Sequence, residues 1–95
     1  MALRRELVWH LKGNVLETIY NVGKKDRPYW QVVIEVEGGN FCIYVRDDDL
    51  RPIAERLVAG SLVEASGIAR AKQEGNGSKG PVWLDPTNQL RVIES

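Results

Sequence analysis

The stretch Tyr29-Trp30-Gln31-Val32-Val33-Ile34-Glu35-Val36-Glu37, the triplet Gly38-Gly39-Asn40 and the run Phe41-Cys42-Ile43-Tyr44-Val45-Arg46 decide the fold class. In the first run Trp30, Val32, Ile34 and Val36 share one face, while Tyr29, Gln31, Val33 and Glu35 share the other. That is the two-residue period of a strand with one buried side. The triplet supplies residues that tolerate positive φ, as a tight hairpin requires. The second run then returns as the partner strand, with Phe41, Ile43 and Val45 expected inward and Tyr44 outward.

Working toward the N-terminus, Leu7 to Tyr20 is rich in Val, Leu, Ile, Trp and Tyr with partial alternation. Gly13-Asn14 breaks it, which predicts a long bent strand with a bulge, able to serve two sheets. The segment Val22 to Pro28 is polar, carries Gly23 and Pro28 and has no apolar period, so it reads as a loop. It is the most basic loop of the chain.

Beyond the hairpin, Asp47-Asp48-Asp49 precedes Leu50, Ile53, Ala54, Leu57 and Val58, spaced i, i+3, i+4, i+7 and i+8. This spacing predicts one apolar stripe on a helix of about three turns, with the three aspartates capping its start and Gly60 ending it. Leu62 to Ala71 reads as a strand around Gly67, and Lys72 to Gly80 as a long loop. Val82-Trp83-Leu84 and Gln89 to Ile93 form a last strand interrupted at Pro86.

The order is strand, loop, strand, hairpin, strand, helix, strand, long loop, strand. It matches the OB fold, an all-β five-stranded Greek-key barrel with a helix between strands 3 and 4, known for binding oligonucleotides and oligosaccharides. With 95 residues, one domain spanning 1–95 is expected.

Composition limits the function classes. A hydrophobic fraction of 43% and a charged fraction of 27% suit a globular chain rather than a disordered one. No apolar run nears the roughly 18 residues of a membrane span, and the start Met-Ala-Leu-Arg-Arg-Glu lacks the apolar centre of a signal peptide. No membrane association and a cytoplasmic location are therefore expected. One cysteine and one histidine allow no internal disulfide and no Cys/His zinc cluster, so no cofactor or metal is expected. The formal net charge of +0 argues against a strongly basic nucleic-acid binder. Residues 1 to 27, however, carry six cations against three acids.

The second half resembles the bacterial single-stranded DNA-binding protein family and its relative, the primosomal replication protein N. Ile53 to Arg70 is similar to that family's helix, its Gly-Ser turn (here Gly60-Ser61) and the Val-x-x-x-Gly strand that follows (Val63 to Gly67). Asn88 to Glu94 is similar to its final strand, and Gly13-Asn14-Val15 stands near its opening strand. The likeness covers roughly the last 50 residues well and the first half in pattern only. The sequence is shorter between its second and third strands and ends at Glu94-Ser95 without the family's acidic recruiting tail. A bare binding module is expected, and the tail's role is not carried over.

Single-stranded nucleic acid is held by rings that stack on bases and by cations that follow the backbone. The outward aromatic candidates are Tyr29 and Tyr44, with Trp83 near the long loop. In an OB barrel the loops between strands 1 and 2 and between strands 4 and 5 flank the binding face. Here they carry Lys24, Lys25 and Arg27 on one side and Lys72 and Lys79 on the other, with Arg46 and Arg70 at strand ends. Each aromatic residue also has a packing reading and each lysine a solubility reading. Trp30 and Phe41 share a face with Val and Ile and are expected in the core, while Trp9 is left open. His10 and Cys42 lie on separate strands without an acid or oxyanion element, so no enzyme is expected.

The expected function is non-sequence-specific binding of single-stranded DNA or RNA; the alternative is an OB barrel serving as a protein-interaction or assembly subunit. The resemblance implies pairing through first strands, and Leu7-Val8-Trp9 gives that strand an apolar opening to protect. A homo-oligomer, dimer or tetramer, is expected.

Overall fold

The alternation between Tyr29 and Arg46 folds into a tight hairpin. In the computed structural model, which describes residues 8–68, 70–73, 82–85 and 87–94, β2 (Pro28–Val36) and β3 (Gly39–Val45) are antiparallel and Val36 pairs with Gly39. Glu37 and Gly38 form the two-residue turn, and Gly38 takes a φ of 96°. Asn40 is not part of the turn: it already pairs with Glu35 in the ladder. Val32, Ile34, Ile43 and Val45 are fully buried, whereas Trp30, Val36 and Phe41 are half-buried and pack against that core.

The N-terminal strand β1 (Val8–Val22) is long, as expected, but it joins two neighbours within one sheet rather than serving two sheets. Val8 to Asn14 pairs with β4 (Leu62–Ile68), and Asn14 to Val22 pairs with β2. The bulge falls at Leu16, between Val15 and Glu17, rather than at Gly13-Asn14. Gly13 has a different task. A Cβ built on it would lie 2.2 Å from the Glu35 carbonyl oxygen, so the absence of a side chain is what lets the end of β2 cross there. Trp9 is buried with Leu11 and Val15 in the core, which settles its role as packing.

The helix α1 (Arg51–Glu55) is much shorter than the apolar stripe suggested. Pro52 lacks an N–H and fits only the first helical turn, which fixes the start near Leu50. The end comes early because Arg56 and Leu57 already donate to the carbonyls three residues back, Ile53 and Ala54, a tightened last turn. The Val58 N–H then turns to the Ser61 hydroxyl, and Gly60 takes a φ of 95°. Leu57 stays buried while Val58 is left exposed. The corner is pinned to β1 where Gly60 donates to the Val15 carbonyl and Val15 donates to the Ser61 carbonyl, both at 2.8 Å.

The aspartates do not cap the helix as expected. The N-cap residue is Leu50, without a side-chain cap bond. Asp47 instead closes the preceding turn, its Oδ1 accepting from the Asp49 N–H at 2.7 Å and its carbonyl accepting from Leu50 and Arg51. Asp48 pairs with the Arg51 guanidinium.

After β4 the chain continues as β5 (Arg70–Gln73), β6 (Val82–Asp85) and β7 (Gln89–Glu94). The sheet order is β5-β6-β3-β2-β1-β4-β7. The β3–β6 pair is parallel and the other pairs are antiparallel. The successive strands β4 and β5 stand toward opposite ends of this order, as do β6 and β7, so the sheet curls into a mostly-β, barrel-like body with one short helix. The expected fourth strand, Leu62 to Ala71, is instead two: β4 ends at Ile68, and β5 pairs with β6 toward the other end of the sheet order. Lys72 is therefore a strand residue paired with Trp83, not a loop residue. The expected last strand, interrupted at Pro86, is likewise two strands, β6 beside β3 and β7 beside β4; Pro86 is outside the described residues. No helix among the described residues is long and apolar enough to cross a membrane.

Candidate nucleic-acid interface

Because successive strand residues point to opposite sides, burying Val32 and Ile43 turns Tyr29, Gln31, Val33, Cys42 and Tyr44 to the other face of the sheet. The register brings Ile19 beside Gln31, Gln31 beside Tyr44, and Asn21 beside Tyr29. The Asn21 amide donates to Gln31 Oε1 at 2.9 Å, which fixes the polar floor between the rings.

Tyr29 and Tyr44 are neighbours across β2 and β3, with ring centroids 5.8 Å apart and planes tilted by 51°. The Arg46 guanidinium carbon lies 5.5 Å from the Tyr29 centroid and 5.2 Å from that of Tyr44, within cation–π range. Two rings and one planar cation thus form a small platform at the end of the hairpin.

The loop before β2 forms the platform's wall. A 3-10 turn (Lys24–Asp26) is closed by a 2.7 Å bond from the Gly23 N–H to the Arg27 carbonyl. Lys25 (φ 62°) and Asp26 (φ 56°) both occupy the left-handed region, which costs an L-residue roughly 1–2 kcal/mol. A Cβ at Gly23 would sit 3.3 Å from Tyr29 Cε1, so the base of the loop packs tightly on that ring. Gly23, Lys24, Arg27, Pro28, Tyr29 and Arg46 line a groove of about 380 Å³. Lys24, Lys25, Arg27 and Arg46 are all exposed, with Asp26 the single acid of the loop.

Five of the expected residues, Lys24, Arg27, Tyr29, Tyr44 and Arg46, therefore meet at one place, and Lys25 shares their loop. Three others lie on the adjoining strands. Trp83 of β6 is the register partner of Cys42, Lys72 of β5 is the partner of Trp83, and Arg70 that of Asp85. Lys79 is outside the described residues. The sequence reading missed Ile19, Asn21 and Gln31. Gln31 was visible as the i+2 neighbour of Tyr29, but the two β1 residues were hidden by the bulge, which reverses the phase of alternation after Leu16.

Cys42 is buried on this same face, and burial, with a smaller contribution from the Glu17 carboxylate, pushes its thiol up to about 12. It stays protonated and fills space beside its register partner Val33. His10 sits on the first half of β1 and bonds Glu64 at 2.8 Å, so the two groups share no site. No family model, no curated protein and no solved structure gives a match to this chain.

Proposed function

We propose that the chain is an OB-type barrel that binds single-stranded nucleic acid, DNA or RNA, without sequence preference. The observation that carries this reading is the convergence of Tyr29, Tyr44 and Arg46 on one groove with Lys24 and Arg27. Rings supply stacking worth roughly 1–3 kcal/mol per base and do not discriminate among bases, while the cations follow the phosphates. The strand pairing supports the fold assignment. An antiparallel β1–β2–β3 meander, a β4 returning beside β1 and a parallel β3–β6 contact suit a five-stranded Greek-key barrel whose strands 2 and 3 carry the ligand face. The platform stands on those two strands, next to the loop joining strands 1 and 2.

The test is fluorescence anisotropy of labelled oligothymidine and oligouridine titrated with the protein. Saturable binding that weakens steeply with salt is expected, because bound cations displace condensed counterions. No change in anisotropy even at low salt would refute the proposal and favour a protein-interaction subunit, the other use of such a barrel.

Self-association belongs to the same proposal. Trp9 is committed to the core, but Val8 and its cross-strand partner Ile68 are 66% and 51% exposed at one end of the β1–β4 ladder. This apolar pair is the place where a second copy would dock. Light scattering at micromolar concentration should give at least a dimer mass, and a monomer would refute it.

A further inference from the structure

We propose that the cleft between α1 and the β1–β2 ribbon, walled by Tyr20 and Trp30 and edged by Arg51 and Glu55, is a second base-binding subsite with a preference for guanine. This inference rests on the nucleic-acid reading above: the Tyr29 and Tyr44 platform does not discriminate among bases, and the opposite face of the same ribbon adds a preference at one subsite.

Tyr20 and Trp30 are register partners, adjacent along the strands to the Asn21–Tyr29 pair. Alternation therefore turns them away from the Tyr29 and Tyr44 platform. Their rings meet edge to face, 5.2 Å apart at 63°. Trp30 leans on the core, but Tyr20 remains 54% exposed, leaving an open aromatic wall. With Arg51 and Glu55 the two rings enclose about 410 Å³, within the usual range for a small-ligand pocket.

The polar rim specifies the occupant. Asp48 engages Arg51 through Nη2, while Arg51 Nε is buried with no hydrogen-bond partner among the described residues. Arg51 lines the cleft, and the guanidinium donors that Asp48 does not hold can meet an acceptor there. Glu55, one helical turn on, is exposed and offers an acceptor of its own. Two carboxylates beside one guanidinium disfavour a phosphate, so the cleft suits a base rather than the backbone. Guanine fits this rim: O6 and N7 are acceptors for arginine, and its N1–H and N2–H groups are donors for a carboxylate.

The route into the cleft is the ribbon tip. Lys24, Lys25 and Arg27 stand where β1 turns into β2. A strand stacked on Tyr29 and Tyr44 can round this tip with its phosphates on those cations and deliver a later base to Tyr20 and Trp30.

The experiment compares wild type, Tyr20→Ala, Glu55→Gln and Tyr44→Ala by anisotropy. The probes are an oligothymidine tetramer, an oligothymidine of about 12 nucleotides, and guanine-thymine and cytosine-thymine alternating strands of that longer length. Tyr20→Ala should weaken the longer strands about tenfold and leave the tetramer unchanged. Glu55→Gln should abolish a wild-type preference for the guanine strand. Tyr44→Ala should weaken every probe. If Tyr20→Ala and Glu55→Gln bind like wild type while Tyr44→Ala is impaired, the second subsite is overturned and the first stands. If wild type binds no probe, both fall. Equal wild-type affinity for the guanine and cytosine strands overturns the guanine preference. Titration of wild type with guanosine monophosphate, followed at the Trp30 indole N–H by NMR, needs no variant. A saturable shift is expected, and its absence overturns the subsite.

Discussion

Arg46 holds its guanidinium carbon 5.2 Å from the centroid of the Tyr44 ring, so cation and stacking surface are presented as one unit. The two should nevertheless be separable by experiment from the charges on the neighbouring loop. Tyr44→Ala removes a stacking surface and should cost about 1–3 kcal/mol of affinity for oligothymidine, with the salt dependence little changed. Tyr44→Phe keeps the ring and should retain most of the binding. The double change Lys24→Ala with Lys25→Ala removes phosphate contacts instead. It should flatten the slope of log affinity against log salt by about 1.4, at roughly 0.7 per contact. Identical signatures from the two changes would show that the platform and the loop are not separate devices.

Gly13 and Gly38 predict different costs for the same change. At Gly13 a new Cβ would meet the Glu35 carbonyl oxygen at 2.2 Å, with Val36 Cγ1 at 2.7 Å and Ile34 Cγ2 at 2.9 Å. The backbone must move, and Gly13→Ala should cost about 3 kcal/mol or more. At Gly38 there is nothing within 4 Å, but φ is +96°, so Gly38→Ala should cost only the left-handed penalty of about 1–2 kcal/mol. Urea unfolding measures both, and a smaller loss at Gly13 than at Gly38 would contradict the close crossing.

Much of this architecture could be read from residue alternation alone. Trp30 to Val36 and Phe41 to Val45 each bury one face, and period two reports that directly. Alternation fails where the chain adds a residue. Leu16 bulges out of β1, so Trp9, Leu11 and Val15 point inward before it, while Glu17, Ile19 and Asn21 join the face of Tyr29 and Tyr44 after it. Their part in the floor could not be counted from the N-terminus. The apolar stripe overstates the helix for a related reason. Leu50 to Val58 has helical spacing, but Leu57 reaches the core through i+3 bonds and Val58 leaves it. The pairing of Lys72 with Trp83 depends on where β6 arrives, a long-range event that local composition does not encode.

The three aspartates before α1 should be unequal. Asp47 Oδ1 accepts the Asp49 N–H at 2.7 Å, closing a turn, so Asp47→Ala should cost about 0.5–1.5 kcal/mol. The Asp48 side chain is 89% exposed, and an exposed ion pair is worth little, so Asp48→Ala should be close to neutral in stability. Thermal unfolding of the two variants decides it. A larger loss for Asp48 would return the capping role to that residue.

Cys42 should be chemically silent in the folded protein. At 1% exposure and with its thiol pushed up to about 12 by burial and then by Glu17, it offers neither access nor thiolate. Iodoacetamide at mildly alkaline pH should leave the native protein unmodified and label it rapidly in denaturant. Fast labelling without denaturant would mean that the β3–β6 side of the sheet opens readily.

Glu64 gives the fold a pH dependence whose sign follows from its partners. Its carboxylate accepts from Arg91 Nε at 2.7 Å and lies 2.8 Å from His10 Nε2, joining β7, β4 and β1 across one face. The Arg91 hydrogen bond first, and the His10 bond second, hold Glu64 below its ordinary value of 4.5. A carboxyl lowered in the folded state binds protons more weakly there than in the unfolded chain, so its contribution to stability is present above 4.5 and is lost as pH falls through the folded value. The melting temperature of wild type should therefore exceed that of Glu64→Gln near neutral pH. The difference should shrink below 4.5 and vanish once the folded carboxyl is protonated. Arg91→Ala removes the larger cause and should return Glu64 toward its ordinary value, flattening the same curve. A difference between wild type and Glu64→Gln that did not change with pH would assign the effect to packing rather than to charge.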